Sequence, residues 1–460
     1  MSAIYDKQAN NRVIVSKKAT INKNTLDFFS CIMYNYKMKF ATLLTANFGN
    51  RLARLELKEK HTMKISKRAA SVPSSLTLEI TAQAKKLKDE GVDVVSFGAG
   101  EPDFNTPEYI RESAKSAIDK GLTKYTPASG LLSLKKVIAD KLKRDNGLDY
   151  TPANIVVSNG AKHSLYNALM AVVEEGDEVI VPSPYWLTYP ELIRFCGATP
   201  VFVQTKEENG FKITPEELKS AITPATKAFI FNNPNNPTGA VYTEEETKAL
   251  AEVLEKTDVC IIADEIYEKL NYVCQPYSIA CYSEKIKQNT ILLNGVSKTY
   301  AMTGWRIGFL AAPDDVAKAI SNVQSQMTSN PNSIAQYASI TAYEGEEGEV
   351  FLDTMRVSFD RRRKLICSKL DEVEGVTYIK PHGAFYVMVN VGKAFGKRSG
   401  DAVIDSALSF ANAFIRSHAV AVIPCEPFGA PEYVRLSYAI SECDIVKGID
   451  RLKDFIASLK

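Results

Sequence analysis

Lys298 is the residue in this sequence whose type and setting offer the most chemistry. It stands in GVSKTYAMTGWRIG (295–308), flanked by small and apolar residues that suggest a pocket. A lysine kept from water has a depressed pKa, and its neutral amine can form an imine with an aldehyde. Arg306, eight residues on, can supply a fixed positive fork for a phosphate. Asp264 and Tyr267 lie in ADEIYEKL (263–270), after a run of apolar residues. A carboxylate there could ligate a metal, cap a helix, or face a protonated ring nitrogen. In NNPNNPTG (232–239) the bland reading is a tight turn, but its asparagines, Asn236 among them, could also bond a ring hydroxyl or a carboxylate. In SNGAKHSL (158–165) the backbone N–H groups at a helix start could cradle a phosphate. Trp186, in PYW (184–186), is either a core aromatic or a flat surface on which a ring could stack.

These residues need elements to place them. From residue 79 onward the pattern alternates helix and strand. An amphipathic helix is expected over 79–90, stopped by Gly91, and another over 107–120 with Pro107 at its start. Apolar strands are expected at 92–97, 154–158, 177–184, 227–234, 258–265 and 290–295. Such runs, separated by helices, predict a mostly parallel central sheet covered on both faces. Ligands of such sheets sit at the carboxyl ends of the strands, which is where the residues above fall. After about residue 345 the character changes. A long charged helix (349–371), strands near 376–390 and 419–424, and a final helix (442–458) suggest a second, smaller α+β domain. The expected organisation is an extension over 1–62, an arm with part of the small domain over 63–108, a large domain over 109–345, and a small domain over 346–460.

Composition narrows the function. The chain has 460 residues, 45% hydrophobic and 24% charged, with a net charge of +2. Nothing in that balance calls for nucleic acid, and no apolar run reaches membrane-spanning length. Eight cysteines without a CxxC pair read as scattered reduced thiols. Four histidines without a ligand-like cluster argue against a metal site. GAGEPD (98–103) carries Asp where the dinucleotide fingerprint needs its third Gly, and no P-loop occurs. Residues 1–62 are basic, with eleven Lys or Arg against four Asp or Glu. They read as an extension outside the fold: a targeting peptide, an upstream stretch before Met63, or a tail. The expected location is the cytoplasm, or an organelle if 1–62 is a transit peptide.

The ordered set AGEPDF, KYTP, SPYW, NNPNNPTG, ADEIY, the whole 295–308 run, GAFY and VRLSYA resembles fold-type I pyridoxal-phosphate enzymes. It is most similar to class I aminotransferases of the bacterial aspartate aminotransferase branch, from about residue 64 to the C-terminus. The resemblance implies an α/β fold, a mostly parallel sheet in a large domain beside a smaller α+β domain. It implies pyridoxal phosphate held by Lys298 as a Schiff base, with Lys298 later moving a proton. It implies Asp264 at the pyridine nitrogen, Tyr267 and Asn236 at the ring oxygen, and Trp186 against the ring. Gly160, Ala161, Lys162, Ser297 and Arg306 would take the phosphate, joined by Tyr125 (in KYTP) from a second copy in a homodimer. Arg435, in VRLSYA, would grip the substrate α-carboxylate with Asn236 and the Gly100 backbone.

For substrates, the resemblance implies amino acids and 2-oxo acids. Lys162 resembles a lysine linked to side-chain carboxylates, and Thr77 a threonine of members that accept prephenate. The expected reaction is ping-pong amino transfer between L-aspartate and 2-oxoglutarate, with prephenate to arogenate as a second activity. A carbon–sulfur lyase, an aminotransferase for another amino acid, and a non-catalytic regulator built on this fold are the alternatives. Cys425 stands where the family commonly has Gly, an exchange expected to stiffen or crowd a substrate-side loop. Pro73, one residue from its usual place, blurs the alignment of Thr77.

Overall fold

The computed structural model describes residues 63–72, 76–274 and 277–460. The readings of residues 1–62 and of Pro73 fall outside these. The chain divides into two units between Ser71 and Val72. Of the first, residues 63–71 are described. They contain one helical turn, Lys67–Ala70, capped by the Ser66 hydroxyl accepting from the Ala69 N–H. Everything that follows belongs to the second unit.

A seven-stranded sheet organises the middle of the chain. Its spatial order is Ile155–Ser158, Gly308–Ala311, Thr290–Gly295, Cys260–Asp264, Thr226–Asn232, Glu178–Ser183 and Thr199–Gln204. The five strands from Thr290–Gly295 to Thr199–Gln204 run parallel, and Gly308–Ala311 is antiparallel to both its neighbours. The inner strands are buried along nearly their whole length, as the continuous apolar runs require. Helices Ala161–Val172 and Asp314–Met327 meet side by side, and Leu165, Leu169 and Ile320 join one apolar cluster with strand residues Val179, Ile262 and Leu310. Ile138, Leu142 and Ala338 join another with Val157, Leu292 and Phe309. Each fully buried Leu, Ile or Phe contributes about 1.5–3 kcal/mol.

A four-stranded antiparallel sheet, Ile423–Pro424, Tyr433–Ser437, Tyr386–Asn390 and Thr377–Tyr378 in spatial order, lies in the C-terminal part of the chain. Its core takes in helices Glu346–Leu370, Ala407–His418 and Glu442–Ser458 through Phe359, Phe410, Phe414 and Phe455.

The structure differs from the sequence reading in particular places. The expected strand at 92–97 is reduced to Val95–Ser96, and it pairs with Val420–Ala421 outside the main sheet. The first large helix spans Leu76–Asp89, so Thr77 lies in its opening turn. Thr199–Gln204 was not anticipated because Pro200 interrupts the run. It is an edge strand, where a missing N–H is tolerated. Gly308–Ala311, four residues long, is too short to show a period. The helix Ala407–His418 and the strand Tyr433–Ser437, which carries Arg435, also went unread.

Gly308 matters beyond its strand. It sits in register with Gly295 on one side and Ser158 on the other. A Cβ on it would lie 2.2 Å from the Ala161 nitrogen and 2.5 Å from the Gly160 carbonyl carbon. Both obstacles are backbone and cannot swing away. We predict that Gly308→Ala loses about 2–4 kcal/mol of stability, seen as a lower urea midpoint. An unchanged midpoint would show that the helix start moves freely.

Candidate active site

A cavity of about 400 Å³ opens at the carboxyl ends of the parallel strands. Chain geometry explains who reaches it. Asp264 ends its strand, Asn232 ends the next, and Ser297 and Lys298 follow Gly295 on a single helical turn, Val296–Thr299. Trp186 follows the Glu178–Ser183 strand, and Ala161 and Lys162 open a helix after Ser158. Thr77, Gly100, Ala161, Lys162, Trp186, Asn236, Asp264, Tyr267, Ser297, Lys298, Arg306 and Arg435 all line this one space. Residues more than 350 positions apart are thereby brought together.

Two residues named from sequence stand apart. Gly160 is not in the lining. It caps the helix at φ +88, and a Cβ there would sit 2.5 Å from Arg306 Nη2. Tyr125 is 90% exposed and far from being a wall of its own chain's cavity.

Other residues line the cavity without having been named: Leu187, Thr188, Tyr189, Asn232, Ile266, Thr303, Tyr386 and Phe428. Tyr189 could have been found as the buried face of the helix that starts beside Trp186. Tyr386 is the tyrosine of GAFY. Phe428 carries no signal in sequence, because a short 3₁₀ turn, Glu426–Phe428, places it.

The wall is rich in charge with little compensation. Lys298 Nζ donates to the Gly100 carbonyl at 2.6 Å. Burial, the largest cause, lowers its pKa to about 8, with Arg435 and Arg306 pushing the same way and Glu101 and Asp264 opposing. Asp264 accepts from the Tyr189 hydroxyl at 2.7 Å and from the Ile266 N–H at 3.2 Å. Burial still raises its pKa above the ordinary carboxylate value, against those two bonds and the Lys298 charge. Tyr267 and Tyr386 share a hydroxyl pair at 3.0 Å, and burial keeps the Tyr267 phenol protonated.

Arg435 is only 3% exposed. Its Nη1 donates to Asn236 Oδ1 at 3.0 Å, its guanidinium carbon lies 4.3 Å from the Tyr386 ring centroid, and its Nε has no partner. Lys162 Nζ sits 4.8 Å from the centroid of Trp186, and burial followed by the Arg306 charge lowers its pKa. Thr77 Oγ1 is buried and also lacks a partner.

Cys425 does not crowd the cavity. Its φ is −103°, which needs no glycine, and it packs with Ile423, Phe428 and Ala430. The left-handed position in this loop is Gly429, whose Cβ would lie 2.2 Å from Ser183 Oγ. Among the described residues no disulfide joins the cysteines, no group of ligands could hold a metal, and no helix is long and apolar enough to cross a membrane.

The donor set fits a particular kind of molecule. A buried carboxylate raised by desolvation suits a cationic ring nitrogen. An amine with a pKa near 8 suits an aldehyde carbon. A helix start packed tightly on Arg306 suits a phosphate. Comparison with known proteins agrees. The family described as aminotransferase class I and II matches residues 92–452. The chain is 48% identical to the aspartate aminotransferase of Bacillus subtilis over 395 residues, 86% of this chain and 99% of that protein. It is 46% identical to the aspartate/prephenate aminotransferase of Cereibacter sphaeroides over 398 residues, again 86% and 99%. Among solved structures, the Thermus thermophilus aspartate aminotransferase with maleate superposes with a TM-score of 0.81 at 39% identity, covering 86% of this chain and 100% of that one. The chain belongs to the class I and II aminotransferases. It is a pyridoxal-phosphate-dependent transaminase.

The depressed lysine has a measurable consequence. In cofactor-free protein, reaction of Lys298 with an amine-directed reagent should climb through pH about 8 instead of 10.5. Between those values the unfolded chain binds the additional proton, so this group's contribution to stability rises with pH. The stability of wild type relative to Lys298→Met should therefore rise from pH 8 to 10.5. A constant gap would contradict the depressed value.

Proposed function

We propose that this enzyme moves an amino group between L-aspartate and 2-oxoglutarate, with the two partners occupying the cavity in turn by a ping-pong scheme. The observation that carries this is Arg435, a buried guanidinium with an unpartnered Nε, in the same cavity as the lowered amine of Lys298 and a further cation, Lys162. A dicarboxylic amino acid asks for two cations and a base. The relatives named for aspartate support the same substrate.

Pyridoxal phosphate, when bound, supplies a carbonyl for the amine and a ring that draws charge away from the substrate Cα. The chain's own residues do the rest. Lys298 holds it and, as a neutral amine, moves the proton at the substrate Cα. Asp264, held by Tyr189, sets a negative charge against the ring nitrogen. Tyr267 and Asn236 donate to the ring oxygen, and Trp186 covers a face. Arg306, Ser297 and the amides of Gly160, Ala161 and Lys162 take the phosphate, with Tyr125 of the partner subunit in a homodimer. The exposure of Tyr125 in a single chain is compatible with that role. Arg435 takes the α-carboxylate as a fork, with Asn236 and the Gly100 backbone. Lys162 takes the side-chain carboxylate. Anchoring both ends orients the Cα–H bond. We assign this chemistry to a large domain, 109–345, with a small domain, 346–460, and the 63–108 arm supplying Thr77, Gly100 and Arg435.

Prephenate is the second acceptor we propose. Thr77, with its unpartnered buried hydroxyl, shares the cavity with Lys162, and several relatives are named for both substrates.

Initial rates with aspartate against 2-oxoglutarate, oxaloacetate or prephenate test the scheme. Parallel double-reciprocal lines are expected. Pyruvate release from cysteine conjugates without an oxo-acid acceptor would favour a lyase instead. Lys298→Ala should lose about 10⁴-fold in kcat, and equal turnover would overturn its assignment. Arg435→Gln should raise KM for both partners about a hundredfold. Thr77→Val should weaken prephenate more than aspartate, and equal effects on both would remove Thr77 from the choice.

A further inference from the structure

The segment 100–106 makes more contacts than a cavity wall requires. At its start, the Gly100 carbonyl takes the Lys298 ammonium at 2.6 Å. The Glu101 carboxylate then accepts from the Thr303 hydroxyl. At its end, the Thr106 hydroxyl donates to the Ala301 carbonyl at 2.7 Å and accepts from the Trp305 indole N–H at 3.0 Å. The loop being held is a strained one. Ala301 and Arg306 adopt φ of +50° and +58°. Side-chain-bearing residues keep such angles only where their surroundings over-determine them.

The middle of the segment faces elsewhere. Asp103 accepts from Arg362 Nη1 at 2.7 Å, with the two side chains 32% and 13% exposed. The Arg362 guanidinium carbon lies 5.6 Å from the ring centroids of both Phe104 and Phe359. Phe104 meets Phe359 and Phe351 edge to face, at 5.6 and 6.1 Å. Phe351, Phe359 and Arg362 belong to the helix Glu346–Leu370, spaced eight and then three residues apart on one stripe. Neither Asp103 nor Arg362 lines the cavity.

We propose that residues 100–106 are a strap whose anchor, the Asp103–Arg362 pair with Phe104, positions the Lys298 loop from outside the active site. Asp103 and Arg362 are thus positioning residues for the transamination. They act through Gly100, Glu101 and Thr106 on residues 298–306. The geometry explains why a charge-assisted bond and two aromatic contacts are spent beside a cavity they do not enter. A helix of 25 residues is a rigid body, so fixing the strap to it fixes the amine and the Gly100 backbone together. The inference rests on Lys298 being the residue that carries the cofactor.

Asp103→Asn keeps the shape and removes the charge, and Arg362→Gln removes its partner. In cofactor-loaded full-length protein, each should raise KM for aspartate and for 2-oxoglutarate about fivefold, with kcat within about twofold. Each should also speed hydrogen exchange in peptides covering 298–306, although neither side chain lines the cavity. The double variant should be no worse than either single one. Faster exchange confined to 100–106, with wild-type KM, would overturn the strap. So would additive effects in the double variant. If Arg362→Gln folds poorly, the Asp103→Asn result alone decides by the same two readouts. Failure of the underlying site assignment is separately visible, as undiminished turnover in Lys298→Ala.

Discussion

Charge removed from water at the carboxyl ends of one sheet is the constraint on which this structure depends. Asp264, Lys298 and Arg435 all face a single cavity, and the Arg435 Nε has no partner there. Burial drives the Asp264 and Lys298 pKa values toward neutrality, in opposite directions. The fold carries that cost because the strands beneath are apolar and continuous. A bound molecule bearing a cation, a carbonyl and a carboxylate relieves it.

Close backbone approach is the second requirement. Gly308 lets the antiparallel strand lie against the start of the helix Ala161–Val172, and Gly160 makes room for Arg306. The result is a tight corner where amides and a guanidinium converge. Both glycines are needed for steric reasons, and one of them also for its positive φ. The strap at 100–106 works at the other side of the lysine. It ties the loop after Lys298 to a long helix of the C-terminal core through Arg362. Anchoring from both sides turns a flexible amine into a placed one.

Much of this was legible in the residues. The alternation of apolar strands and helices announced the parallel sheet, and the Thr290–Gly295 strand has the bounds read for it. The strand-end residues, together with those the resemblance added, named twelve of the twenty residues that line the cavity. What was missed follows a physical pattern. Gly308–Ala311 is too short for a period, and Thr199–Gln204 contains a proline tolerated only because the strand lies on an edge. Phe428 lines the cavity through a short turn that no local signal encodes, whereas Tyr189 was legible as the buried face of the helix beside Trp186. The cysteine at 425, read as a disturbance, proved to be an ordinary core residue, because the left-handed angle falls at Gly429.

The sequence by itself determined which groups are present: an amine, a buried acid, guanidinium groups, and glycines at the places where chains touch. Types and order along the chain are local properties, and they sufficed for the class of chemistry. Only the tertiary structure decided what those groups experience. The lowered pKa of Lys298 comes first from burial by the packed chain, and its bond to Gly100 spans 198 residues. The link from Asp103 to Arg362 spans 259 residues. Desolvation and long-range contact depend on the whole packed chain, which is why no reading of one segment could supply them.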